Sequence, residues 1–134
     1  MDHTAKSRNE IDRNMTWDLS RLYADDAQWE KDFAEIDDGV KAFLKFKGRL
    51  AESPETLLAA FQADDELGLV LERLYVYAHL KADEDTGNSA NRARLDRISA
   101  KHAEIGGECA WFQPELIAMD EKVFEHYCNS PVLA

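Results

Sequence analysis

Hydrophobic residues recur every three or four positions along most of this chain. Trp29, Phe33, Ile36, Val40, Phe43, Phe46 and Leu50 draw one apolar stripe at helical period. Asp25, with Gln28 three residues on, has the spacing of a capping box, so the spacing predicts a first long helix starting at Asp25 or Asp26. Asp37 and Lys41 are expected to pair on its outer side, and Lys45, Lys47 and Arg49 place cations at its negative end. Ser53-Pro54-Glu55 reads as the next start: a serine cap, proline at the first helical position and an acid in the first turn. Leu57, Leu58 and Phe61 open this second helix. Asp64 and Asp65 interrupt its apolar face, which predicts a bend or a restart near 62–65. The pattern resumes through Leu67, Leu71, Leu74 and Ala78 to Ala82. Asp83 to Asn88 should end it, with Gly87 available as a left-handed residue.

A third helix, capped by Asn88 or Ser89, is predicted by the seam Leu95, Ile98, His102, Ile105, Cys109 and Phe112. Pro114 should stop it and start a short helix through Met119. Asp120 can cap a last helix containing Val123, Phe124 and Tyr127. Residues 1–15 are polar and aperiodic, and are expected to form a disordered lead. Residues 16–134 are expected to form the helical domain, beginning with a short turn capped by Asp18. Nothing alternates at period two over a useful length. The fold class is all-α: an antiparallel bundle of long helices, built as helical hairpins, with short C-terminal helices.

Charge narrows the partners. Among 134 residues, 27 Asp and Glu stand against 16 Lys and Arg, a net charge of −11. That field repels phosphate backbones and anionic lipid, so neither nucleic acid nor membrane is an expected partner. No apolar run approaches the ~20 residues that span a bilayer, and no apolar stretch follows Met1 as a signal peptide requires. Cys109 and Cys128 form no disulfide framework, and a cytoplasmic protein with reduced thiols is expected.

The chemistry-bearing residues do not assemble into a catalytic motif. None of His3, His79, His102 and His126 has a second histidine four residues away or a glutamate three residues before it, so neither zincin nor di-iron spacing occurs. His102-Ala103-Glu104 matches the H-x-E element of zinc deaminases, but no P-C-x-x-C completes it, and His102 reads as a core or partly buried residue of the third seam. His126 and Cys128 are two apart, and their side chains diverge on a helix. Gly106-Gly107 reads as a site of close helix contact or a kink. No catalytic and no metal-ligating residues are assigned within the chain.

The segment Leu74–Thr86 is the best functional candidate. Tyr75, His79 and Asp83 lie at i, i+4 and i+8 on one helical face, and Tyr77 and Lys81 line the neighbouring one. In the plainer reading, the tyrosines bury their rings and Asp83, Glu84 and Asp85 end the helix. Carboxylates there oppose the helix dipole, however, unless they meet a cation or cap the next helix. The functional reading assigns Tyr75, Tyr77, His79, Asp83 and Asp85 to a substrate channel or an interdomain contact.

Trp17-Asp18-Leu19-Ser20 with Leu22-Tyr23, the Phe46-Lys47-Gly48 to Leu50 turn, Ser53-Pro54-Glu55, the Leu74–Thr86 block and Pro114-Glu115-Leu116 occur in an order that resembles the N-terminal helical region of the oligoendopeptidase F family of zinc metallopeptidases. The resemblance runs from about Trp17 to Leu133. It implies a parent enzyme that hydrolyses short peptides in a channel between helical regions, this region forming one wall. It also implies zinc in the parent, held by an H-E-x-x-H motif that this chain lacks. The expected partners are then a missing C-terminal catalytic domain and short peptides. A homodimer of the fragment is also expected, through a patch of Trp111, Tyr127 and Val132-Leu133. The competing expectation is a stand-alone acidic helical interaction module.

Overall fold

The Asp25 carboxylate accepts a hydrogen bond from the Gln28 amide at 2.9 Å, and helix α1 runs Asp26–Leu44. The computed structural model describes residues 6–133, so His3 and the first five residues of the expected lead lie outside the described residues. Trp29, Ile36, Val40 and Phe43 are buried along α1 as the stripe requires. The helix ends before the last two members of that stripe, because the chain reverses at Gly48. Its φ of 78° lies in the left-handed region, where glycine alone carries no Cβ penalty. Phe46 and Leu50 turn inward from this reversal rather than from a helix. The Asp37–Lys41 pair does not form: Lys41 binds Asp38 at 3.0 Å and Asp37 binds Lys101 at 3.1 Å.

Helix α2, Pro54–Glu84, starts where Ser53 Oγ accepts from the Thr56 amide at 3.1 Å. It is unbroken over 31 residues, and the expected bend at 62–65 is absent. Asp64 is only half-buried and Asp65 is exposed, so both acids sit beside the packed face, while Ala60, Ala63 and Leu67 keep it continuous. Asp85 ends the helix with a non-helical backbone, φ −146° and ψ 85°, and Gly87 is not left-handed. Asn88 then caps helix α3, Ser89–Cys109, accepting from the Ala90 and Asn91 amides at 3.0 and 3.2 Å.

The seam of α3 lies where its spacing places it, with Leu95, Cys109 and Phe112 packed on the core, except at one position. Ile98 and Ile105 are buried, whereas His102 is exposed. Two polar residues also take inner positions: Asn91 and Arg94 are each only 8% exposed. Arg94 Nη2 lies 2.7 Å from Asp26 Oδ2, and its Nη1 donates to Asn91 Oδ1 at 3.1 Å. Tyr77 Oη donates to Asp26 Oδ1 at 2.8 Å, and Asn91 Nδ2 donates to the Lys81 carbonyl at 2.9 Å. One polar cluster, buried at Arg94 and Tyr77 and open to solvent at Asp26, therefore joins the first turn of α1 to α2 and α3. Gly106 and Gly107 make neither a close contact nor a kink, since a Cβ at either would meet nothing within 4 Å and α3 continues past them.

Helices α1, α2 and α3 pack together as an antiparallel bundle, and the described residues contain no strand. Two short helices, α4 (Phe112–Ile117) and α5 (Glu121–Cys128), close over the α1–α2 turn. Pro114 lies inside α4, while α3 has already ended at Cys109. Asp120 caps α5 through the Lys122 and Val123 amides. Glu115 grips the turn directly: its carboxylate accepts from the Gly48 amide at 2.8 Å and the Leu50 amide at 3.2 Å. Leu50, Leu57, Ala60 and Tyr127 form a second small core, bridged to the main one by Trp111 and Phe112 against Phe43. The expected dimerising patch is therefore used within the chain. Tyr127 is buried with its Oη on the Ala51 carbonyl at 2.8 Å, and Trp111 and Leu133 pack beside it. Nor is the whole lead disordered: Arg8–Glu10 and Arg13–Met15 form 3-10 turns, and Arg8 pairs with Glu84 at 2.9 Å.

Two sets of substitutions test this packing by urea unfolding. Phe43→Ala should cost about 3–5 kcal/mol, because a fully buried ring leaves a cavity, and Leu71→Ala, at a half-buried position, about half as much. Asp26→Ala should cost about 3 kcal/mol by leaving the buried Arg94 charge without its carboxylate. Arg94→Met should cost about 1 kcal/mol, since the half-exposed Asp26 can be rehydrated. Equal losses for Asp26→Ala and Arg94→Met would refute the buried-charge account.

Candidate functional site

Residues two apart on a helix are separated by about 200°, so Tyr75 and Tyr77 cannot share a face. Tyr77 points inward. It is 3% exposed, lies edge-on to Tyr23 with ring centroids 5.3 Å apart, and is bonded to Asp26. Burial first, and the Asp26 carboxylate second, push its phenol well above the usual tyrosine range. Tyr77 is thus a core residue with no surface to offer a substrate or another domain, contrary to its assignment from sequence. Lys81, one turn on, holds its ammonium 5.9 Å from the Tyr77 ring centroid.

Tyr75 points outward, and the structure assembles a surface cluster around it. Its ring centroid lies 5.9 Å from that of His79 on the next turn and 5.8 Å from that of His102 on α3. His79 Nδ1 is 3.0 Å from Asp83 Oδ2, one turn further. Asp83 and Asp85 then line a hollow of about 80 Å³ at the α2–α3 turn, with Thr86, Asn88, Arg92 and Leu95. Arg92 is the cation near these acids, and it also pairs with Asp96 at 3.4 Å. The face from Tyr75 to Asp83 thus offers one aromatic ring, two imidazoles and a carboxylate to whatever lies against it.

His102 is the member of this cluster that sequence reading missed. The apolar repeat of α3 places it on the buried seam between Ile98 and Ile105, but its side chain is exposed beside Tyr75. Distance from the turn gives no sharp signal for it, because Tyr75 lies 10 residues before Asp85 and His102 lies 14 after Asn88, about one helical turn out of step.

This arrangement offers stacking and hydrogen-bonding groups to a partner surface. It pairs no nucleophile with a base held by a third group. Nor do the residues fit zinc: among the described residues, no three His, Cys, Asp or Glu side chains come close enough to hold a metal ion. The thiols stand apart. Cys109 is half-buried, its thiol pushed up by burial first and by the nearby Asp64 and Glu108 charges, and Cys128 is exposed at the end of α5. No described helix is long and apolar enough to cross a membrane.

No family model matches the chain. It is 30% identical over 120 residues to Oligopeptidase PepF of Bacillus subtilis, a match covering 90% of the chain and 18% of that protein. It is likewise 30% identical over 124 residues to the plasmid-encoded Oligoendopeptidase F of Lactococcus lactis subsp. cremoris, covering 92% of the chain and 21% of the relative. The crystal structure of a protein provisionally described as a peptidase, from Chlamydophila abortus, superposes with a TM-score of 0.84 at 28% identity, covering 96% of this chain and 22% of that one. The chain therefore spans about a fifth of the length of the relatives it matches. The segments that carry the resemblance also meet in space, since Glu115 of Pro114-Glu115-Leu116 holds the amides of the Phe46–Leu50 turn. In sequence and in fold, the chain corresponds to the N-terminal helical region of oligoendopeptidase F.

Proposed function

We propose that this chain is the non-catalytic N-terminal helical domain of an oligoendopeptidase F-like zinc metalloendopeptidase that hydrolyses short peptides in the cytoplasm, and that it forms one wall of the substrate channel. The observation that carries this reading is the match along nine-tenths of the chain to proteins named as oligopeptidases. Zinc would supply an activated water in the parent, held by residues beyond this chain, and no step runs through it here. The chain's own part is binding and exclusion. Tyr75 can stack on a peptide side chain, and His79, His102 and Asp83 can exchange hydrogen bonds with peptide amides and carbonyls. The rigid three-helix wall behind them would narrow access to short, unfolded substrates. Asp85, at the rim of the hollow by the α2–α3 turn, would border the missing catalytic domain.

Kinetics of the full-length parent test this. Tyr75→Ala combined with His102→Ala should raise KM for a quenched-fluorescence octapeptide about three- to ten-fold, the worth of one aromatic contact and its neighbour, and leave kcat within two-fold. The 134-residue chain alone should retain no stoichiometric zinc after chelator washing and should leave the octapeptide intact. Cleavage by the isolated chain would refute its non-catalytic assignment. A complete reading frame without H-E-x-x-H would replace the peptidase reading with the stand-alone interaction module. An unchanged KM in the double variant would remove the α2–α3 face from the channel.

A further inference from the structure

The seam between α1 and α2 is covered along only half its length. Near the start of α1, the chain's own segment Leu19–Tyr23 lies over it, with Leu19, Leu22 and Tyr23 packed on the main core. A cation fastens that cover: the Arg73 guanidinium sits 4.9 Å from the Tyr23 ring centroid, and its Nη2 donates to the Leu22 carbonyl at 2.9 Å. Beyond Tyr23 the same seam lies open as a groove of about 310 Å³. Its floor is apolar: Ile36, Gly39 and Ala42 on one side, Ala63, Leu67 and Val70 on the other. Its rim is acidic, formed by Asp32, Glu35 and Glu66. Among the described residues no cation is bonded to any of these three carboxylates. Asp32 accepts from the neutral Gln28 amide nitrogen at 2.9 Å. At the boundary between the two halves, the buried Tyr23 hydroxyl lies beside Asp32, and burial first and that carboxylate second hold the phenol above its usual range.

We propose that the open half of the α1–α2 seam docks a short extended peptide that carries an apolar side chain next to a lysine or arginine. The covered half is the pattern for this. There a short non-α segment inserts apolar side chains between the helices and is held by an arginine from α2. In the open half the roles of charge are reversed: the groove supplies the carboxylates, and the occupant must bring the cation. The volume fits one or two side chains, at the lower end of the ~300–1,000 Å³ usual for ligand pockets. A lysine or arginine stem can cover Ala42 and Ala63 while its head reaches Glu35 or Glu66. The inference rests on the reading of the parent as a peptide-handling enzyme and adds to it a basic peptide class and a second contact region. The groove lies along α1 and α2, whereas the Tyr75 cluster is shared between α2 and α3.

Amide NMR of the 134-residue chain tests the proposal, with the peptide Ala-Arg-Leu-Arg-Ala as the probe and Ala-Glu-Leu-Glu-Ala as its charge-reversed control. The basic peptide should shift the Gly39, Ala42, Ala63 and Leu67 amides, and the acidic one should not. Glu35→Gln with Glu66→Gln should weaken binding roughly ten-fold, as should raising the salt from 0.05 to about 0.5 M. Ala42→Trp, which fills the groove from an exposed position, should abolish the shifts while the dispersion of the spectrum shows that the chain is folded. Absence of binding, equal shifts with both peptides, or affinity untouched by either variant would overturn the proposal. Shifts confined to Tyr75, His79 and His102 would also overturn it, yet would leave the channel-wall reading standing.

Discussion

The Asp26 carboxylate, in the first turn of α1, receives the Tyr77 hydroxyl from α2 on one oxygen and the Arg94 guanidinium from α3 on the other. Apolar seams alone let helices slide by a turn, because one leucine replaces another at little cost. A charge-assisted bond between single atoms does not slide. A second fastening lies one turn away, where the Trp29 indole donates to the Leu74 carbonyl at 2.9 Å. Together these set the register and rotation of all three helices. The inner cluster constrains the outer one: burying Tyr77 turns Tyr75 outward, where it meets His102 of α3.

Much of this could be read along the chain, and the failures share a cause. Caps are local chemistry, so Asp25, Ser53, Asn88 and Asp120 start the helices their spacing implied. The apolar stripe of α1 is also correct for the four residues it buries within the helix. It failed after Leu44, where period alone cannot distinguish a helix from a turn whose side chains face inward. In α3 the seam holds for Leu95, Ile98, Ile105, Cys109 and Phe112 and fails at His102, while the polar Asn91 and Arg94 take inner positions that an apolar pattern does not announce. Of the candidate residues, Tyr75, His79 and Asp83 share a face as their spacing required. Tyr77 does not, because its partner Asp26 is 51 residues away in sequence and no local pattern announces it.

The uneven use of charge has a structural side. Several of the few cations serve as ties between helices: Arg97 holds Glu30 by two bonds of 2.8 and 2.9 Å while lying over the Phe33 ring, and Lys101 reaches Asp37. Each exposed pair contributes little. Their placement nevertheless leaves Asp32, Glu35 and Glu66 to face the open seam without an ion-pair partner among the described residues, so part of the acidic excess borders an accessible apolar floor.

The grip of Glu115 on the Gly48 and Leu50 amides, with Tyr127 on the Ala51 carbonyl, also bears on the order in which the fold is made. A ribosome releases α1, its turn and α2 long before α4 and α5. The turn that should close the first hairpin therefore emerges with amides and a carbonyl whose partners are not yet made, satisfied meanwhile by water. The hairpin can form early through its apolar seam, but its hinge end stays loose until the last helices leave the exit tunnel. The first turn of the domain to be synthesised is among the last parts to be finished.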